Sequence, residues 1–162
     1  MKKFRWLPIL LVLIMILELL PLGVLAAGGQ NGSIQARWSD AITVDGSLTE
    51  SVWLSSQAIG TEQNMPSGQI AAAWDKTNLY LGVWYENADT LTVEKGNFSK
   101  MISLTAASSN VNTETHTAEL SLSWAELGVT LFDYHQTIDG FKITLSSGAS
   151  SSVLNASVET AM

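Results

Sequence analysis

In the run Leu79-Tyr80-Leu81-Gly82-Val83-Trp84-Tyr85-Glu86, the residues Tyr80, Trp84 and Glu86 fall at alternate positions, and Trp74 lies just upstream. On a strand, Tyr80 and Trp84 at i and i+4 make an aromatic strip about 13 Å long. A rigid ring of this kind stacks on the apolar C–H face of a pyranose, while a neighbouring polar group such as Glu86 takes the hydroxyls. The same spacing also suits a strand covered on both faces, where the rings would be packing residues. The sequence leaves both arrangements open for Tyr80, Trp84 and Trp74. Trp53 and Trp124 sit among apolar neighbours and read as core. Trp38 reads as a packing lid.

Other chemistry has less to work with. The chain has no cysteine, which excludes a disulfide scaffold, a thiolate zinc site and a cysteine nucleophile. Asp45, Asp75 and Asp89 each fall at a turn, where an Asp side chain bonds nearby backbone amides. No D-x-D-x-D-G loop is present, so a structural calcium has no support and no metal ligand is named. Nothing singles out a pair of carboxylates for glycoside hydrolysis, so no catalytic residue is named and no enzyme is expected. His116 and His135 lie in polar surroundings and read as exposed loop residues. Asn31-Gly32-Ser33, Asn97-Phe98-Ser99 and Asn155-Ala156-Ser157 match the glycosylation acceptor pattern.

The elements that must hold these residues follow from patterning. Leu7 to Leu25 is almost wholly aliphatic behind the basic Met1-Lys2-Lys3-Phe4-Arg5 start, and Val24-Leu25-Ala26-Ala27 is a small-residue end. That combination reads as a secretory signal over residues 1–26, with a retained membrane anchor as the alternative. A cut after Ala26 leaves 136 residues with 14 acids and 5 bases, a net charge of −9. The acidity argues against nucleic acid, and the length suits one domain. Residues 27–40 read as a linker, and 41–162 as the domain. Within it, Ala41 to Val44 reads as a short strand ended by Asp45-Gly46. Ser47 to Leu54 reads as one helical turn. Ile70–Trp74 and Leu79–Glu86 read as a hairpin around Asp75-Lys76-Thr77-Asn78. Further strands are expected at Thr90 to Glu94, Ser99 to Thr105, Thr117 to Ser123, Gly140 to Ser146 and Ser152 to Val158. A second helical turn is expected at Ser123 to Gly128, with a serine N-cap and a glycine stop. Short, evenly spaced strands predict an all-β fold, an antiparallel β-sandwich of the jelly-roll or immunoglobulin-like kind with one or two short helical turns.

Three blocks in this frame resemble the family 9 carbohydrate-binding modules. Ile42-Thr43-Val44-Asp45-Gly46-Ser47-Leu48-Thr49-Glu50-Ser51-Val52-Trp53 is similar to that family's opening signature. Trp74-Asp75-Lys76-Thr77-Asn78-Leu79-Tyr80-Leu81-Gly82-Val83 is similar to its hairpin. Ala118-Glu119-Leu120-Ser121-Leu122-Ser123-Trp124-Ala125-Glu126-Leu127-Gly128 is similar to its late segment. The resemblance implies an exported, non-catalytic sandwich that binds a polysaccharide or oligosaccharide outside the cytoplasm. The chain departs from the family between Asn87 and Thr105, where the usual Trp and acidic pair of the sugar site are missing, and nothing aromatic follows Phe141. Those departures imply a second reading, a structural or adhesive surface domain without the sugar site. A neighbouring family, the haem-binding DOMON-type sandwiches, holds iron between a Met and a His. Met65 or Met101 with His116 or His135 supplies the atoms for that third reading, although their flanks are rich in Ser, Thr and Asn.

Overall fold

A computed structural model describes residues 29–53, 55–130 and 134–162. The expected signal at 1–26 lies outside them. Ten strands occur: β1 (Gln30–Trp38), β2 (Ser56–Ile59), β3 (Ser67–Trp74), β4 (Asn78–Glu86), β5 (Thr90–Lys95), β6 (Phe98–Ser103), β7 (Val111–Asn112), β8 (Thr117–Ser123), β9 (Thr137–Ser147) and β10 (Ser150–Ala161). They join in one sheet of order β6-β5-β9-β10-β1-β3-β4-β8-β7, with β2 paired to β3. No helix is found among the described residues.

The sheet curls because β1 belongs to two halves. It runs parallel to β10 from Gln30 to Arg37, and parallel to β3 only over Ala36–Trp38. The rest of that edge of β3, Gly68–Ala71, is taken by β2. The halves fold towards each other as a half-barrel, so the expectation of a purely antiparallel sheet is corrected to a mixed sheet with two parallel pairings. The linker expected at 27–40 is corrected too, since β1 places Ile34 and Ala36 in the core.

Alternation then fills the interior. Leu79, Leu81, Val83 and Tyr85 of β4 point inward, as Ile70, Ala72 and Trp74 of β3 do, and they share one cluster with Leu91, Val93, Phe141, Ile143, Leu145, Leu154 and Val158. In β9 both Ile138 and Phe141 are buried although three positions separate them. The pairing with β10 slips between Ala156 and Val158, and Gly140 takes φ 85°, so a bulge absorbs the extra residue and restores the inward face.

The outer face of β3–β4 is covered as well. Ala71, Ala73 and Tyr80 are buried beneath Trp53, with Ile42, Val44, Leu48, Val52 and Trp84 packed around them. Small residues permit this close approach. A Cβ on Gly82 would lie 2.7 Å from Leu48 Cδ2 and 2.9 Å from Trp53 Cε3. The segment Ala41 to Val44, expected as a strand, lies in this cover without joining the sheet. The two expected helical turns are isolated turns: Trp53 N–H reaches Glu50 O at 3.3 Å, and Leu127 N–H reaches Ser123 O at 3.1 Å. Ser123 and Glu126 do form a reciprocal capping box, with Gly128 at φ 64°, but no further turn follows.

A buried carboxylate pins the cover to β8. Glu119 Oε2 accepts the N–H groups of Asp45 and Gly46, each at 2.8 Å, and Thr117 Oγ1 donates to Gly46 O at 2.7 Å. Gly46 is required here: its φ is 81°, and a Cβ would lie 2.8 Å from Val111 N. Glu119 Oε1 is buried without a hydrogen-bond partner. Burial pushes the Glu119 carboxyl up from its ordinary range against the two amide bonds, and the charges of Glu50 and Asp45 add to the rise.

The free edge of β8 is also occupied. Asn110 O accepts Glu119 N–H at 2.8 Å, Lys100 Nζ of β6 donates to Ser121 O at 3.1 Å, and Glu126 accepts Ser123 N–H. Such side-chain and loop bonds blunt an edge that would otherwise pair with another chain.

Two predictions follow from the cover. Gly82→Ala is expected to lower stability by about 1–3 kcal/mol, because the rigid Trp53 ring must shift, as urea unfolding would show. The second concerns pH. A carboxyl raised on folding contributes most below its unfolded pKa and loses that contribution as pH rises through its folded value. Asp75 has the opposite sign: hydrogen bonds from Thr77, Tyr80 and Asn78 outweigh its desolvation and lower it, so its contribution fades only in strong acid. Glu119 should therefore contribute less to stability as pH rises above the ordinary Glu range, and Glu119→Gln should remove that component of the pH dependence. An unchanged slope in the variant would contradict the assignment.

Candidate functional site

The ends of β2, β4, β6 and β9 meet the starts of β3, β5, β8 and β10 at one end of the half-barrel. A cleft of about 410 Å³ opens there, with Gln69 of β3, Trp84 and Glu86 of β4, and the turn residues Thr115 and His116 among its walls. Barrel mouths are a common place for ligand clefts. Strand alternation explains the composition. Tyr80, Gly82, Trp84 and Glu86 share the outer face of β4, and the cover thins along it, so burial gives way to a half-buried Trp84 and an exposed Glu86. Gln69 lies opposite Trp84 in the β3–β4 register, and its Oε1 accepts the Ser56 hydroxyl at 2.9 Å.

The four candidates from the sequence separate into two groups. Trp84 and Glu86 line the same cleft. Tyr80 is buried, and its hydroxyl donates to Asp75 Oδ2 at 2.8 Å. Burial, then the Asp75 carboxylate, pushes the phenol up from its ordinary range. Trp74 is only 3 % exposed and faces the core, where its Nε1–H donates to Ala161 O at 3.0 Å. Its ring meets Trp38 edge-on at 4.8 Å and Tyr134 at 5.7 Å, at the end of the sheet away from the cleft. Of the two arrangements open for this face, the covered one occurs, and no continuous Tyr80–Trp84 platform reaches solvent.

Trp53 and Trp124 are buried, in keeping with their reading as core. Asp45 caps Ser47 N–H at 2.8 Å, and Asp75 Oδ1 takes the N–H groups of Thr77 and Asn78 at 2.6 and 2.7 Å. Asp89 Oδ2 accepts the Ser147 hydroxyl at 2.7 Å.

Gln69 and Thr115 enter the cleft without having been singled out in the sequence, and His116, read there as an exposed loop residue and offered as a haem ligand in the third reading, lines it too. Gln69 is recognisable only once strand register is known. His116 carries a conformational signal that sequence does not display, a φ of 53°. Its carbonyl accepts Tyr85 N–H at 3.0 Å, and its ring stacks on Tyr85 with 5.6 Å between centroids. Met101 is 69 % exposed on β6, and His135 lies beside Tyr134, just before the start of β9. No group of three or more His, Asp or Glu able to hold a metal ion occurs among the described residues.

No protein-family model matches the chain, and no curated protein matches it.

Tyr80 is placed as a structural residue by this geometry. Tyr80→Phe is expected to cost about 1–3 kcal/mol of stability, the worth of a hydrogen bond to a charged partner, measured by urea unfolding. It should leave any ligand affinity of the cleft unaltered, and a loss of affinity in a folded variant would place Tyr80 in the site after all.

Proposed function

We propose that this chain is an exported, non-catalytic glycan-binding domain whose site is the cleft at the mouth of the half-barrel. The observation that carries this reading is the half-buried Trp84 on the cleft wall, with Glu86, Gln69 and Thr115 within the same opening. The indole offers a stacking ring, and the amide, hydroxyl and carboxylate offer hydrogen bonds to sugar hydroxyls. The three blocks resembling family 9 carbohydrate-binding modules support the same reading, as does a curled two-halved sheet that approaches a sandwich. The partner is a polysaccharide or oligosaccharide met outside the cytoplasm, with no cofactor and no nucleic acid involved.

The second reading, a structural or adhesive surface domain, draws support from the burial of Tyr80 and Trp74, which removes two of the four candidate contacts.

Isothermal titration of the folded chain against soluble xylan, cello-oligosaccharides and simple sugars separates the two. Heat is expected with at least one, and Trp84→Ala should weaken that binding about tenfold, the loss of one stacking contact. Because Trp84 also touches the cover, Glu86→Gln serves as a second variant at an exposed position, and circular dichroism verifies both folds. A folded wild type that gives no heat with any sugar would favour the structural domain.

A further inference from the structure

A second opening, of about 450 Å³, adjoins the first. Its walls include Asn87, Asp89, Thr105, Thr113 and Ser147, and it shares Tyr85 and His116 with the first cleft. The two openings share one stacked pair of rings, Tyr85 and His116, as a common wall. We propose that they form one groove, and that its ligand is an uncharged oligosaccharide chain crossing the His116 imidazole. The proposal deepens the glycan reading and rests on it.

The ridge between them is firmly built. Tyr85 is held from both ends: its N–H donates to His116 O, and its hydroxyl donates to Leu104 O at 3.0 Å. His116 lies over it with 30° between the rings, so one face of the imidazole is covered and the residue remains exposed. Its backbone sits in the left-handed region, which is unfavourable for most non-glycine residues. The turn that enforces this is tightly bonded. Asn112 Oδ1 accepts the N–H groups of Glu114 and Thr115 at 3.0 and 3.2 Å, and Thr115 and Thr117 share a hydroxyl contact of 2.7 Å. Asn87, at the lip of the second opening, has a φ of 52°.

Charge selects the ligand class. Glu86 lies in one opening and Asp89 in the other, and the remaining polar walls are amides, hydroxyls and the imidazole, with no lysine or arginine in either. Carboxylates accept hydrogen bonds from sugar hydroxyls, but they repel uronates, sulfates and phosphates. A neutral chain is the class that fits.

Linkage favours a chain over a single sugar. Two shallow openings separated by one side-chain pair each offer few contacts, yet a ligand that spans both makes its second contact intramolecularly. Affinity should then climb with chain length.

The test is isothermal titration of the folded chain with cellohexaose, xylohexaose and mannohexaose, with glucose, xylose and mannose, and with a galacturonic acid hexamer. One neutral hexamer is expected to bind about a hundredfold more tightly than its monosaccharide, and the uronate not to bind. His116→Ala and, separately, Thr105→Trp, which fills the second opening from an exposed position, should each lower the hexamer-to-monosaccharide ratio. Equal affinity for hexamer and monosaccharide would overturn the groove while leaving the glycan reading in place. Tight binding of the uronate would overturn the charge argument and with it the proposal. Silence with every sugar would remove both readings.

Discussion

The fold depends on one strand being shared. β1 offers both of its edges as parallel partners, one to β10 over eight residues and the other to the last three residues of β3. With β2 occupying the rest of that β3 edge, the sheet cannot lie flat, and its two halves turn their apolar faces together. Everything else is arranged around that bend. The strand ends gather at a mouth, the β4–β5 connection crosses it, and side chains from both halves meet there.

The second determinant is the cover over β3–β4. It settles which aromatic residues are available. Three small residues, Ala71, Ala73 and Gly82, let Trp53 and Leu48 approach the sheet closely, while Glu119 and Thr117 hold the Asp45-Gly46 turn from below. Tyr80 is consumed by this packing and by Asp75. Trp84 sits at its margin, half in the cover and half on the cleft. A buried carboxyl with one unpartnered oxygen is a costly device, but both backbone amides of the turn converge on its other oxygen.

Much of the frame was legible because it obeys short-range rules. The β3–β4 hairpin followed from alternation and an Asx turn, and β8 lies where Thr117 to Ser123 was expected, since one face of it is uniformly apolar. β1 escaped notice because Gln30-Asn31-Gly32-Ser33 has no apolar side chain; its place is set by backbone pairing with residues at the far end of the chain, which no local pattern reveals. Ala41 to Val44 had strand composition but no strand to pair with, and it became a lid. The site was half legible. The types of Trp84 and Glu86 were apparent, but whether their face was wet or covered depended on a segment some thirty to forty residues earlier. His116 was named in the sequence as a loop residue and a haem-ligand candidate, but its place on the cleft wall goes with a backbone angle that no local pattern displays.

The parallel pairing of β1 with β10 also has a meaning in time. Ser33 of β1 bonds Glu159 across 126 residues of sequence, so the strand synthesised first among those described waits for the one synthesised last. Loop closure on that scale belongs with topologies that fold slowly. Until it happens, the last three residues of β3 and one edge of β10 lack their strand partner, in a chain with few charges to keep such edges apart. The seam that gives the finished domain its curvature is therefore also the step at which its assembly is most exposed to association with other copies of itself.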